Sequence, residues 1–232
     1  MAAGRVPVQL QNNGSEPHQV MILRLHDGVS IDRYLSAAQS DEGSAGSLID
    51  NSGGVNVVDA GSAGTGYADF QPGKYALVCY IPSGDHVGHL HKGMVAELTV
   101  PDTAAATPIA GPAPVADLVM QDFNFTLPAQ GLGTSGTYRF VNNGAEAHEF
   151  VVMRIDDGKT LNDVLPYLQA GFQGDKPLTF AGGSGGVEPG QTGFADLALS
   201  PGHYVAMCFI TDPASHKHHA ELGMIAPFEV PA

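Results

Sequence analysis

Two stretches of this chain could hold a metal ion: residues 79–94, CYIPSGDHVGHLHKGM, and residues 208–224, CFITDPASHKHHAELGM. In each, a cysteine closes an apolar run, a histidine-rich loop follows, and a Gly-Met pair opens a second run of alternating residues. The two stretches contain both cysteines of the chain and six of its ten histidines. Thiolate, thioether and imidazole are donors that suit copper, whereas magnesium and calcium take oxygen ligands. Two cysteines at matching places read as one functional thiol in each half rather than as one disulfide. Taken singly, a buried cysteine or a methionine after glycine is ordinary packing, and a loop histidine such as His91 or His218 is ordinarily solvated. His26 and His203 stand outside the pattern and read as structural. The joint, doubled arrangement carries the metal reading.

The doubling extends along the chain. Asn12, Asn13, Gly14, Glu16, His18, Arg24, Asp27 and Gly28 recur 130 residues later as Asn142, Asn143, Gly144, Glu146, His148, Arg154, Asp157 and Gly158. Gly66-Tyr67-Ala68-Asp69 matches Gly193-Phe194-Ala195-Asp196, and Pro72-Gly73 matches Pro201-Gly202. The expected organisation is a first domain over residues 1–101, an Ala/Pro-rich linker over 102–117 and a second domain over 118–232.

The elements that must position the two stretches follow from patterning. Residues 6–11 and 137–142 read as strands ending in Asn-Asn-Gly turns. Residues 18–25 and 148–155 are apolar on both faces, which predicts strands covered on both sides. Ser30 and Thr160 are positioned to cap short helices. Residues 41–66 and 171–193, rich in Gly, Ser and Asp, read as surface loops. Strands over 74–81 and 203–210 lead into the cysteines, and strands over 94–100 and 224–230 lead away from the loops, with Met94 and Met224 pointing inward and Pro227 at an exposed edge. The second half has a leading strand, 118–127, with Phe123 and Phe125 on one face. The first half shows no counterpart, so a first strand there is expected to be missing, and an open edge of that kind favours pairing with another molecule, including a homo-oligomer. The predicted class is all-β: two tandem Greek-key β-sandwiches, each with a short helical insertion.

An Asn-Gly turn followed by a histidine, then some sixty residues on a Cys, a loop, a His, four residues and a Met, resembles the cupredoxin family over about 200 residues of the chain. The resemblance implies up to two type 1 (blue) copper ions, held by His18, Cys79, His89 and Met94 in the first half and by His148, Cys208, His219 and Met224 in the second. His86 and His216 also correspond between the halves and are alternatives to His89 and His219, or form a separate outer site. Where the family often has Asn after the first histidine, this chain has Gln19 and Glu149.

The function implied is electron transfer by a periplasmic or secreted protein, although no secretory signal is visible. The alternatives are a copper carrier or storage protein and a metal-free β-sandwich interaction module. Val78 and Tyr80 flank one cysteine and Met207 and Phe209 the other, so no histidine beside the thiolate leads to a second copper. That predicts no enzymatic chemistry. Ten Lys plus Arg against twenty-four Asp plus Glu give a net charge of -14. Such a balance argues against nucleic acid and suits a basic redox partner such as a c-type cytochrome. No apolar run is long enough to span a membrane.

Overall fold

The computed structural model describes residues 3–40, 42–102 and 111–232. In chain order the elements are β1 (Gly4–Gln11), β2 (His18–Leu25), α1 (Ile31–Ser40), α2 (Glu42–Gly46), β3 (Ile49–Val58), β4 (Ala63–Phe70), β5 (Gly73–Val78), β6 (Val95–Val100), β7 (Ala116–Gln121), β8 (Asn124–Thr126), β9 (Ser135–Asn142), β10 (His148–Ile155), α3 (Leu161–Gln169), β11 (Leu178–Val187), β12 (Thr192–Ala198), β13 (Gly202–Met207) and β14 (Ile225–Val230). The class is all-β with few helical insertions, as the patterning predicts. No helix among the described residues is long and apolar enough to cross a membrane.

In the second half β14-β13-β10-β11 and β12-β9-β7-β8 are the two facing sheets of a sandwich, joined through β3 and β4 into one continuous run of paired strands. Leu118, Met120, Tyr138 and Phe140 from the second sheet meet Phe150, Val152, Tyr204 and Ala206 from the first, and this is the sandwich core. The opposite face of β10 presents Val151, Met153 and Ile155 to Val164 and Tyr167 of α3. Burial of both faces explains the unbroken apolar run. The first half repeats the plan: Ile22, Phe70 and Tyr75 on one side, and Met21, Leu23 and Leu25 against Tyr34 and Ala38 of α1 on the other.

The Gly-rich stretches expected to be surface loops are largely strands β3, β4, β11 and β12, and they join the halves. β11 pairs antiparallel with β3 through Ala181↔Val58, Ser184↔Val55 and Val187↔Ser52, and β12 pairs with β4 through Ala195↔Gly66. Glycine is required because the backbones approach closely. A Cβ on Gly54 would lie 2.1 Å from the Val20 carbonyl oxygen, and one on Gly183 1.8 Å from that of Phe150. These two positions also share positive φ, 129° and 131°. A strand built on glycine for close approach looks, by composition, like a loop.

Two further expectations change. Residues 118–127 are a hairpin rather than one strand: β7 runs parallel to β9, the chain turns at Asp122-Phe123, and β8 returns along β7. β7 begins at Ala116, and residues 103–110 of the expected linker lie outside the described residues. Met94 is 38% exposed, whereas Met224 is fully buried. Both methionines precede the strands that follow them, β6 starting at Val95 and β14 at Ile225, so strand register does not set the difference.

Candidate metal centres

Each half builds its centre from the end of one strand, the start of another and the loop between β5 and β6 or β13 and β14. β2 and β10 open on His18 and His148, and the turn before each is pinned by an asparagine. Asn12 Nδ2 donates to the Glu16 and Val58 carbonyls at 2.8 and 3.1 Å, and Asn12 Oδ1 accepts from the Gly14 N–H at 2.9 Å. Asn142 repeats this with Glu146, Val187 and Gly144 at 2.7, 2.8 and 2.8 Å. β5 and β13 end one residue before Cys79 and Cys208.

The loops return through single 3-10 turns, His89–Lys92 and His219–Leu222. Their backbone bonds match: the Leu90 N–H donates to the Cys79 carbonyl at 2.8 Å and the Ala220 N–H to that of Cys208 at 2.8 Å. Each turn is ended by a left-handed glycine, Gly93 at φ 93° or Gly223 at φ 108°, a conformation that other residues adopt only with strain.

The result is two clusters, His18–Cys79–His89 and His148–Cys208–His219, in each of which the ligand atoms lie within 4.8 Å of one another. His18 Nδ1 stands 3.1 Å from His89 Nδ1, and Cys79 Sγ is 3.9 and 3.4 Å from them. In the second half His148 Nδ1 is 3.0 Å from His219 Nδ1, which is 3.4 Å from Cys208 Sγ. Each sulfur also receives a backbone N–H, from Gln19 or Glu149, at 3.4 Å. Thus the structure gathers His89 and His219 at the sulfur. His86 and His216 sit earlier in their loops with left-handed backbones, φ 62° and 57°, outside both clusters. Met224 is packed in the same buried cluster as Cys208.

The far ring nitrogens face carboxylates. His89 Nε2 is 3.2 Å from Glu16 Oε2 and 3.0 Å from Ser83 Oγ. His219 Nε2 is 3.0 Å from Glu146 Oε2, and His148 Nε2 is 2.8 Å from Asp122 Oδ1. An imidazole that donates from Nε2 keeps its Nδ1 lone pair bare. In the second half two bare Nδ1 atoms then face each other at 3.0 Å with a thiol beside them. A cation is what relieves that arrangement, and the spacing suits bonds of roughly 2 Å from each nitrogen to a common ion.

Burial lowers His18 and His219, with the neighbouring imidazole adding to the effect at each, and His219 falls to about 4. Burial also lowers His148, against the opposing pull of Asp122. Burial raises both thiols, Cys79 and Cys208. In the second half the metal-free centre at neutral pH therefore holds neutral imidazoles and a protonated thiol, and binding an ion there must expel the thiol proton.

Sequence reasoning passed over the carboxylates. Glu16 and Glu146 recur at matching positions, which was a usable signal; Asp122 and Ser83 left none. Glu149, in the place where the resembling family often has Asn, does brace the loop: its Oε1 accepts from the Phe209 N–H at 3.0 Å.

No protein-family model and no curated protein matches the chain. Solved structures similar to it include auracyanin B, with 19% identity, 54% of this chain and 96% of that one covered, and a TM-score of 0.35. A dithionite-reduced auracyanin from Roseiflexus castenholzii has 19% identity, 53% and 100% coverage and a TM-score of 0.32. A blue copper oxidase from Nitrosomonas europaea covers 100% of this chain and 74% of its own, with 15% identity and a TM-score of 0.26. Likenesses at this level assign no function. They do overturn one expectation, that the chain is not an enzyme, because multicopper oxidases are among the structures matched over nearly its whole length. The residues flanking Cys79 and Cys208 exclude one through-bond path, not enzymatic chemistry as a class.

Proposed function

We propose that this protein is an extracytoplasmic electron carrier that binds a type 1 copper ion in each half. The observation that carries this reading is the pair of matching His–Cys–His clusters, each with its donor atoms within 4.8 Å of one another. His18, Cys79 and His89, with Met94, would hold one ion, and His148, Cys208 and His219, with Met224, the other. Bound copper supplies one-electron redox chemistry, and two imidazoles with one thiolate and a weak thioether are the donor set of blue copper centres.

The chain's own residues give the rest. Glu16, Asp122 and Glu146 hold ring orientation and tautomer. The N–H groups of Gln19 and Glu149 stabilise charge on the sulfurs. Donors fixed by strand ends and a hydrogen-bonded loop keep their places when the charge of the centre changes. The net charge of -14 supports a cationic redox partner such as a c-type cytochrome, whose association would weaken as salt rises.

Copper-loaded protein is expected to show an intense thiolate-to-copper band that ascorbate bleaches and ferricyanide restores. Colourless copper that exchanges freely would favour carriage or storage instead. Failure to take up copper would leave a metal-free interaction module.

A further inference from the structure

The two centres share their donors but not their surroundings. In the second half the β7–β8 hairpin lies over the centre. At its tip Asp122 reaches His148 Nε2 at 2.8 Å and accepts from the Ala145 N–H at 2.8 Å, so ring and turn are tied to one carboxylate. Phe123, the next residue, packs edge-on against His219 with ring centroids 4.9 Å apart. The side chains of His148 and His219 are both 0% exposed, and Met224 is buried.

In the first half His18 is partly exposed and Met94 is 38% exposed. Glu16, which holds His89, is 46% exposed where its counterpart Glu146 is 28%. Among the described residues no side chain is hydrogen-bonded to His18 Nε2 as Asp122 is to His148. A ring tethered at its far nitrogen and walled by an aromatic must swing against both restraints to release an ion. His18, partly exposed and without such a tether among the described residues, need not.

We propose that the centre at Cys79 is the exchange port, through which copper and small chelating ligands enter and leave, and that the centre at Cys208 is a retained site closed by Asp122 and Phe123. The inference rests on the copper reading above. Asp122 is in this account a positioning residue, acting through His148.

The test uses the full chain in two variants that isolate the centres, Cys208→Ser and Cys79→Ser. Each is loaded with cupric ion, mixed with excess EDTA, and followed through decay of the thiolate–copper band. The first centre should release its ion about tenfold faster or more, the scale on which outer groups tune metal sites. Asp122→Ala in the Cys79→Ser protein should bring its release toward that of the first centre, and Asp122→Asn, which keeps an acceptor for His148, should recover most of the slow release.

Because a hairpin variant can lose its fold, diethylpyrocarbonate modification of the unsubstituted, metal-free protein gives an independent reading. Mass spectrometry should find His18 modified about tenfold faster than His148, in keeping with the difference in tethering. Equal release from the two centres, or equal reactivity of the two histidines, overturns this proposal while leaving the copper reading intact. No thiolate–copper band in either variant overturns the reading itself.

Discussion

Asn56 Nδ2 donates to Glu149 Oε2 at 3.0 Å across the seam between the halves, and also to the Ser184 carbonyl at 3.0 Å. Glu149 thus ties the first half to the second centre, since its own N–H points at the Cys208 sulfur. Burial pushes its carboxyl up from 4.5 to about 7, against the pull of the Phe209 N–H and the Asn56 amide. Between those values the folded, metal-free protein keeps a proton that the unfolded chain has lost. Glu149 therefore contributes stability that is fully present below about pH 4.5 and lost as pH rises through about 7. Glu149→Gln removes that dependence. In urea unfolding of metal-free protein, the stability of the variant relative to the parent should rise from pH 5 to pH 8 by up to about 3 kcal/mol. A difference that stays flat with pH would contradict it. His219 has the opposite sign: burial lowers it to about 4, so its destabilising effect grows as pH falls from 6.5 toward 4.

The seam itself is testable through glycine. A Cβ on Gly185 would lie 2.6 Å from the Gly53 carbonyl oxygen of the facing half, whereas one on Gly46, at the end of α2, would meet nothing within 4 Å. Gly185→Ala should cost about 1–3 kcal/mol by overpacking backbone against backbone. Gly46→Ala should change stability by no more than about 0.5 kcal/mol. Comparable effects from both substitutions in thermal or denaturant unfolding would count against strand pairing between the halves.

These strands also show where the sequence stopped being legible. His18–Leu25 and His148–Ile155 could be read to the residue, because a run apolar on both faces has one explanation at that length. Ser30 and Thr160 placed their helices correctly for a local reason, hydrogen bonding at the first turn. The Gly-rich strands were misread because their determinant is a neighbouring backbone distant in sequence, about thirty residues away for Gly54 and Gly183 and more than a hundred for Gly185. The hairpin turn at Asp122 was missed for a similar reason: its role depends on His148, which no local pattern reveals. At the centres, residue types pointed to the cysteines, loop histidines and methionines, and only the family resemblance pointed to His18 and His148, while the carboxylates behind them became visible only once the turns had closed.

The two methionines should behave differently on truncation. Met224 is fully buried beside Cys208, and Met94 is 38% exposed. Met224→Ala in the metal-free protein is expected to cost about 2–5 kcal/mol through lost burial and a residual cavity. Met94→Ala should stay within about 1 kcal/mol of the parent. Equal losses would show that Met94 is packed in solution as Met224 is.

Copper binding should be visible as stability. An ion that binds the folded state and not the unfolded one raises the melting temperature with concentration, by about 2.7 kcal/mol of added stability at a hundred times Kd. Adding cupric ion should raise Tm, and excess EDTA should return it to the metal-free value. A Tm that cupric ion leaves unchanged would mean that the folded protein does not bind it in preference to the unfolded chain, and would contradict both sites.

The most direct measurement of the central claim is a titration of metal-free protein with cupric ion, followed at the thiolate-to-copper band, in the parent and in the Cys79→Ser, Cys208→Ser and doubly substituted chains. Two clusters predict saturation at two equivalents in the parent, at one in each single variant, and no band in the double variant. A band that survives loss of both cysteines, or never appears in the parent, would contradict the account.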